Sequence, residues 1–96
     1  MITASEARGN VTEYEQAEYI RISTKLSEVI DTMSKSIEFH SKNGITQLTF
    51  YPYDKSRFSS FHDLIIASDI LEKKFKNNGY KIIHNNHNNN VFTIRW

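Results

Sequence analysis

Lys42-Asn43-Gly44-Ile45 and Lys76-Asn77-Asn78-Gly79-Tyr80 decide how this chain is read. In each, a helix-like stretch meets a glycine and turns at once into strand-forming residues. Glycine just past the last helical turn lets the chain go left-handed without a Cβ clash. Lysine beside it suits the negative end of a helix. Two such stops divide the 96 residues into helix, strand, helix, strand, strand.

Working outward from the first stop, Ile22, Leu26, Val29, Ile30, Met33 and Ile37 recur at three- and four-residue steps, one apolar helix face. Thr12, with Glu15 three residues on, is the expected N-cap, so the spacing predicts a helix over about 12–42. Residues 1–11 are expected to form a flexible N-terminal segment. At 1.5 Å per residue that helix is about 45 Å long, more than a domain of this size is wide. An overhang is therefore expected, and Tyr14, Tyr19 and Ile22 are the candidate oligomer contacts.

Residues 45–51 alternate as a strand that Pro52 ends, and 53–58 read as a polar connector. A second helix starts at Ser59 or Ser60, with Phe61, Leu64, Ile65, Ser68, Leu71 and Phe75 as its stripe and Ile66 and Ile70 beside it. A hairpin with an asparagine-rich tip follows. Tyr80, Ile82 and His84 should share one face of its first strand, and Phe92, Ile94 and Trp96 one face of its second. The expected class is α+β: a long N-terminal helix, a three-stranded, mainly antiparallel sheet and a second helix, in the order α-β-α-β-β. Leu48, Phe50, Ile82, Phe92, Ile94 and Trp96 should meet Leu26, Ile30, Met33, Leu64, Leu71 and Phe75 in a single-domain core.

Composition narrows the function classes. Net charge is +1, without the basic excess of a dedicated polyanion binder. Residues 1–53 carry five Lys/Arg against seven Asp/Glu, and residues 54–96 seven against four. That asymmetry helps like chains associate. No cysteine is present, which removes thiolate zinc sites and cysteine nucleophiles. The N-terminus has neither a basic n-region nor an apolar run, and no stretch reaches the roughly 20 apolar residues of a membrane span. A soluble, intracellular protein is expected.

Chemistry-bearing patterns are sparse. His40, His62, His84 and His87 lack metal-ligand spacing, so no metal is assigned. Ser59, Ser60 and His62 lack a nucleophile elbow, and the two serines suit helix capping. Glu13, Glu15 and Glu18 sit where acids favour a helix start. No catalytic residue or cofactor is assigned, and a non-enzyme is expected. Lys73, Lys74, Lys76 and Lys81 gather at the end of the second helix, where cations belong in any case. Arg8, Arg21 and Arg57 offer phosphate-matched forks, and Tyr51 and Tyr53 offer stacking faces. These five are the candidate ligand-binding residues.

Ala4-Ser5-Glu6-Ala7-Arg8, Asn78-Gly79-Tyr80-Lys81-Ile82 and the closing Ile94-Arg95-Trp96 together resemble small accessory proteins of tailed bacteriophages. Those combine an Ala-x-x-Ala-Arg opening and long helix with a Gly-Tyr-x-Val/Ile step and a final Ile-x-Trp. The resemblance implies a non-enzymatic protein from a group whose roles are mostly unassigned and whose members of this size frequently disarm a host system. Joined to the overhang, it gives the expectation of a homo-oligomer of the host cytoplasm that counters host defence. It would sequester a cyclic nucleotide signal or bind a host defence protein, the latter through a patch of Tyr51, Tyr53 and Phe58. A small nucleic-acid-binding regulator using the lysine patch, or a minor virion or assembly component, is the alternative. This chain departs from the pattern in its polar hairpin tip and in Tyr51-Pro52-Tyr53.

Overall fold

Thr3 opens the first helix. Its Oγ1 accepts from the Glu6 amide at 3.1 Å, and α1 runs Ala4–Lys42 in the computed structural model, which describes all residues Met1–Trp96. The start expected at Thr12 is corrected. The Thr12 hydroxyl donates to the Arg8 carbonyl at 3.1 Å in mid-helix, and the segment expected to be flexible is helical from Ala4. Thr3-Ala4-Ser5-Glu6 repeats the Thr-x-x-Glu spacing of a capping box, eight or nine residues earlier than expected.

Both glycine stops close in the same way. Ile45 N donates to His40 O and Gly44 N to Ser41 O; at the second stop Tyr80 N donates to Phe75 O and Gly79 N to Lys76 O. This is the paired bonding of a Schellman motif, and it needs the positive φ that Gly44 (82°) and Gly79 (89°) adopt. β1 then spans Gln47–Phe50, shorter than expected, and α2 spans Phe61–Asn77 behind Ser60, whose Oγ accepts from Asp63 N at 3.1 Å. β2 is Lys81–Asn86 and β3 is Val91–Arg95.

The three strands form one antiparallel sheet in the order β1-β3-β2, so the last strand in the sequence lies in the middle. Leu48 and Phe50 pair with Ile94 and Phe92, and Ile82 pairs with Ile94, on the helix-covered face. His84 does not share that face. A bulge between Ile82 and His84 pairs His84 with Thr93, moving it to the polar outer face with Thr49, whose hydroxyl bonds that of Thr93 at 2.9 Å.

α1 and α2 run parallel: Arg21 meets Asp63 at one end, and Ile30 and Ser34 share a hollow with Phe75 and Asn78 at the other. The buried cluster draws Ile22, Leu26, Val29, Met33 and Ile37 from α1; Ala67, Ile70, Leu71 and Phe75 from α2; and Phe92 and Ile94 from β3. Ile30, Leu48, Phe50, Leu64, Ile82 and Trp96 are half-buried against it. Phe61 and Ile65, expected in the α2 stripe, are exposed. Two residues of the supposed polar connector, Tyr53 and Phe58, are fully core.

The core begins at Ile22. Every residue of 4–17 is exposed except the half-buried Ala7. The molecule measures 62 × 27 × 21 Å, its long axis set by the 39 residues of α1. About 20 Å of that helix projects past the core.

Candidate functional site

Three features can carry function, and the first is a clamp between the helices. Asp63, one turn into α2, is held by Arg21 through Nη2–Oδ1 at 2.6 Å and Nη1–Oδ2 at 3.3 Å. Glu18, one turn before Arg21 on α1, takes Nη2 at 2.6 Å, and His62 Nε2 stands 3.8 Å from the same Glu18 oxygen. The Arg21 fork holds the Asp63 carboxyl below its usual range, against the opposing effect of burial, and it likewise lowers Glu18. The guanidinium itself is raised by these two carboxylates. Ligating atoms of Glu18, His62 and Asp63 lie within 4.8 Å of one another, but Arg21 already supplies the cation they face. Arg21, expected to bind ligand, instead ties α1 to α2.

The second feature is a recess of about 260 Å³ beside β1. Val29, Met33 and Phe50 floor it, and Tyr51, Asp54 and Arg57 stand around it. Tyr51 is 68% exposed, a free aromatic face. Lys25 reaches the Arg57 carbonyl at 3.2 Å, adding a second cation nearby. Asp54 is held low mainly by the Ser56 amide, which donates to its Oδ1 at 3.0 Å, with Arg57 helping. Arg57 and Asp54 are the charged residues that line the recess, one cation and one carboxylate.

Of the five expected ligand residues, only Tyr51 and Arg57 come together. Tyr53 is turned into the core, its hydroxyl bonded to Asn85 and its amide to the side chain of Asn90. Burial raises its phenol well above the usual value. With Phe58 also buried, the expected patch of Tyr51, Tyr53 and Phe58 reduces to Tyr51 alone. Arg8 lies on the overhang, about 20 Å along the helix from Arg21.

The third feature is a seam along α1 and α2. Tyr14 and Tyr19 line a notch of about 470 Å³ with His62, Ile65 and Ile66. Tyr19 also borders the next hollow, of about 440 Å³, where Ser23 and Ser27 face Ile70, Lys73 and Lys74. Ile30 and Lys74 carry the seam on to Phe75 and Tyr80. Lys73 and Lys76 are paired with Asp69 and Glu72 one turn back, at 3.0 and 2.7 Å, while Lys74 has no carboxylate partner. Of the expected oligomer contacts, Tyr14 and Tyr19 are on this surface and exposed, but Ile22 is in the core of its own chain. Ile65 and Ile66 complete the seam; their side-by-side placement on α2 was the signal, since one helix face cannot bury both neighbours.

The histidines do not converge on a common centre. His40 Nδ1 bonds the Ser36 carbonyl at 2.7 Å, His62 joins the clamp, His84 lies on the outer sheet face and His87 packs on Phe61. No helix is long and apolar enough to cross a membrane. No protein-family model matches the chain, and neither a curated protein nor a solved structure matches it at a significant level.

Proposed function

We propose that this chain is a non-enzymatic binding protein of phage origin that counters a host defence in the host cytoplasm, and that it works by contact with another protein. The observation that carries this reading is the N-terminal half of α1. It projects as a helix with Val11, Tyr14, Tyr19 and Ile20 exposed, and residues 4–13 make no hydrogen bond beyond the helix and its cap. A helix that leaves its own core and keeps large apolar side chains in water is a contact surface.

A second reading, capture of a cyclic nucleotide signal, is favoured by one specific arrangement: Tyr51 and Arg57 on a single recess with Lys25 beside it. There Tyr51 stacks a base and Arg57 takes phosphate, with Lys25 adding positive charge from behind the Arg57 carbonyl. Arg21 and Tyr53 have other partners, so the recess supports this reading less fully than the projecting helix supports the first.

Native mass spectrometry of the protein purified from host cells with an active nucleotide-signalling defence separates the two. A bound host protein supports the first reading. Bound nucleotide, lost in Arg57→Ala and Tyr51→Ala, supports the second. A chain carrying neither contradicts both.

A further inference from the structure

The projecting helix has a physical problem of its own. It runs through Gly9-Asn10-Val11-Thr12, four weak helix formers that together cost about 2–3 kcal/mol relative to alanine. Helical stability in proteins comes mainly from packing an amphipathic face, and residues 4–13 pack on nothing in their own chain. Local propensity does not account for this stretch of helix, so a partner must cover it.

We infer that the partner is a second copy of this chain, with each copy's residues 4–17 lying antiparallel in the seam between α1 and α2 of the other. The inference rests on the reading of the α1 N-terminal half as a contact surface, and it names the partner. Length is the first argument. The seam accompanies α1 from about residue 15 to residue 30, and the overhang spans a matching 14 residues, about 21 Å. A two-fold axis near Ala17 satisfies both copies at once, as an isologous interface requires. Thr12 of one copy then lies beside Ser23 of the other, and Ala4 reaches the level of Ile30.

Face agrees with this placement along its length, and charge at its far end. Val11 continues the helical stripe of Ile22, Leu26 and Val29, which covers α2 within the chain. In the pair that stripe meets the α2 of the other copy at the level of Ile70. Small side chains at Ser23 and Ser27 leave room for close approach along α1. The overhang carries Glu6, Glu13 and Glu15 against Arg8, and none of these four forms an ion pair within the chain. Glu6 falls at the level of Lys73 and the unpaired Lys74, whereas Glu13 and Glu15 fall beside the notch that holds Glu18 and Asp69, so charge favours the pair at the far end of the overhang alone.

The chain has no cysteine, which makes a clean crosslinking test possible. Thr12→Cys and Ser23→Cys are made as two separate single-cysteine proteins and oxidised alone and as a mixture. The expected result is disulfide-linked pairs in the mixture and little in either protein alone. Crosslinking of Thr12→Cys with itself would mean a parallel pairing, and absence of crosslinks in the mixture would mean no such interface; either overturns the inference. Sedimentation velocity provides the second measurement. The parent should sediment as a dimer, and Val11→Asp, at a site that meets only its own helix in the single chain, should weaken dimerisation by roughly tenfold or more. A parent that stays monomeric overturns the second copy as occupant while leaving a host protein as partner, which the mass-spectrometric experiment decides separately.

Discussion

Replacing Phe58 by alanine tests whether the segment between β1 and α2 is connector or core. Phe58 is among the largest fully enclosed side chains in the molecule, although its neighbours Arg57 and Ser59 are exposed. Truncating a buried phenylalanine costs about 3–5 kcal/mol, the lost transfer energy plus a cavity term. Phe58 sits in a loop anchored by its own amide, which donates to the Asp54 carbonyl at 2.9 Å. A loop collapses onto a cavity more readily than a helix does, so the lower end, about 3 kcal/mol, is expected. Domains of this size have about 5–15 kcal/mol in total, and each kcal/mol lowers Tm by about 4–8 °C. Phe58→Ala should therefore lower the urea midpoint sharply with an unchanged slope, and Tm by about 12–24 °C. Tyr51→Ala, immediately after the end of β1 and largely exposed, is the control and should change stability by less than about 0.5 kcal/mol. A Phe58→Ala loss below about 1 kcal/mol would refute the packing described for this segment.

Other substitutions follow from local geometry. Gly44→Ala and Gly79→Ala place a Cβ at positive φ and should each destabilise by about 1 kcal/mol in urea unfolding. Gly9→Ala meets open space within a helix and should stabilise by about 0.5–1 kcal/mol. Asp63 is held low by Arg21, so its stabilising contribution is present above the unfolded carboxylate value near 3.9 and is lost as pH falls through the lower folded value. The urea midpoint should drop on acidification, and Asp63→Asn should flatten that drop. Tyr53 runs the other way. Its phenol is raised by burial, so stability is intact below the unfolded value near 10 and falls as pH rises past it. Alkaline unfolding should be weaker in Tyr53→Phe, and ultraviolet titration of the parent should show one tyrosine that resists ionisation while the fold persists.

Element order was legible because it rests on local chemistry. Gly44 and Gly79 each closed a Schellman motif, and the three- and four-residue spacing of α1 pointed to the face that packs. The start of α1 was less legible, since Thr3-x-x-Glu6 and Thr12-x-x-Glu15 carry the same signal and Gly9-Asn10 favours the later one. Tyr53 and Phe58 were obscured by Asp54, Lys55, Ser56 and Arg57 between them, which give the segment a polar average. The bulge at Ile83 was invisible because Tyr80, Ile82 and His84 alternate regularly in sequence. Arg21 and Asp63 lie 42 residues apart, and no local pattern joins them. Arg21 therefore read as a free fork when the fold had already engaged it.

Hydrogen exchange at the amides of Gly9, Asn10, Val11 and Thr12 is the decisive measurement, because these weak helix formers should stay ordered only when a second copy covers them. Slow exchange is expected in the parent at concentrations where it is dimeric, and fast exchange in Val11→Asp, with the core amides of Leu26 to Ile37 unchanged between the two. Free-chain exchange at these four amides in the parent at every concentration would contradict it.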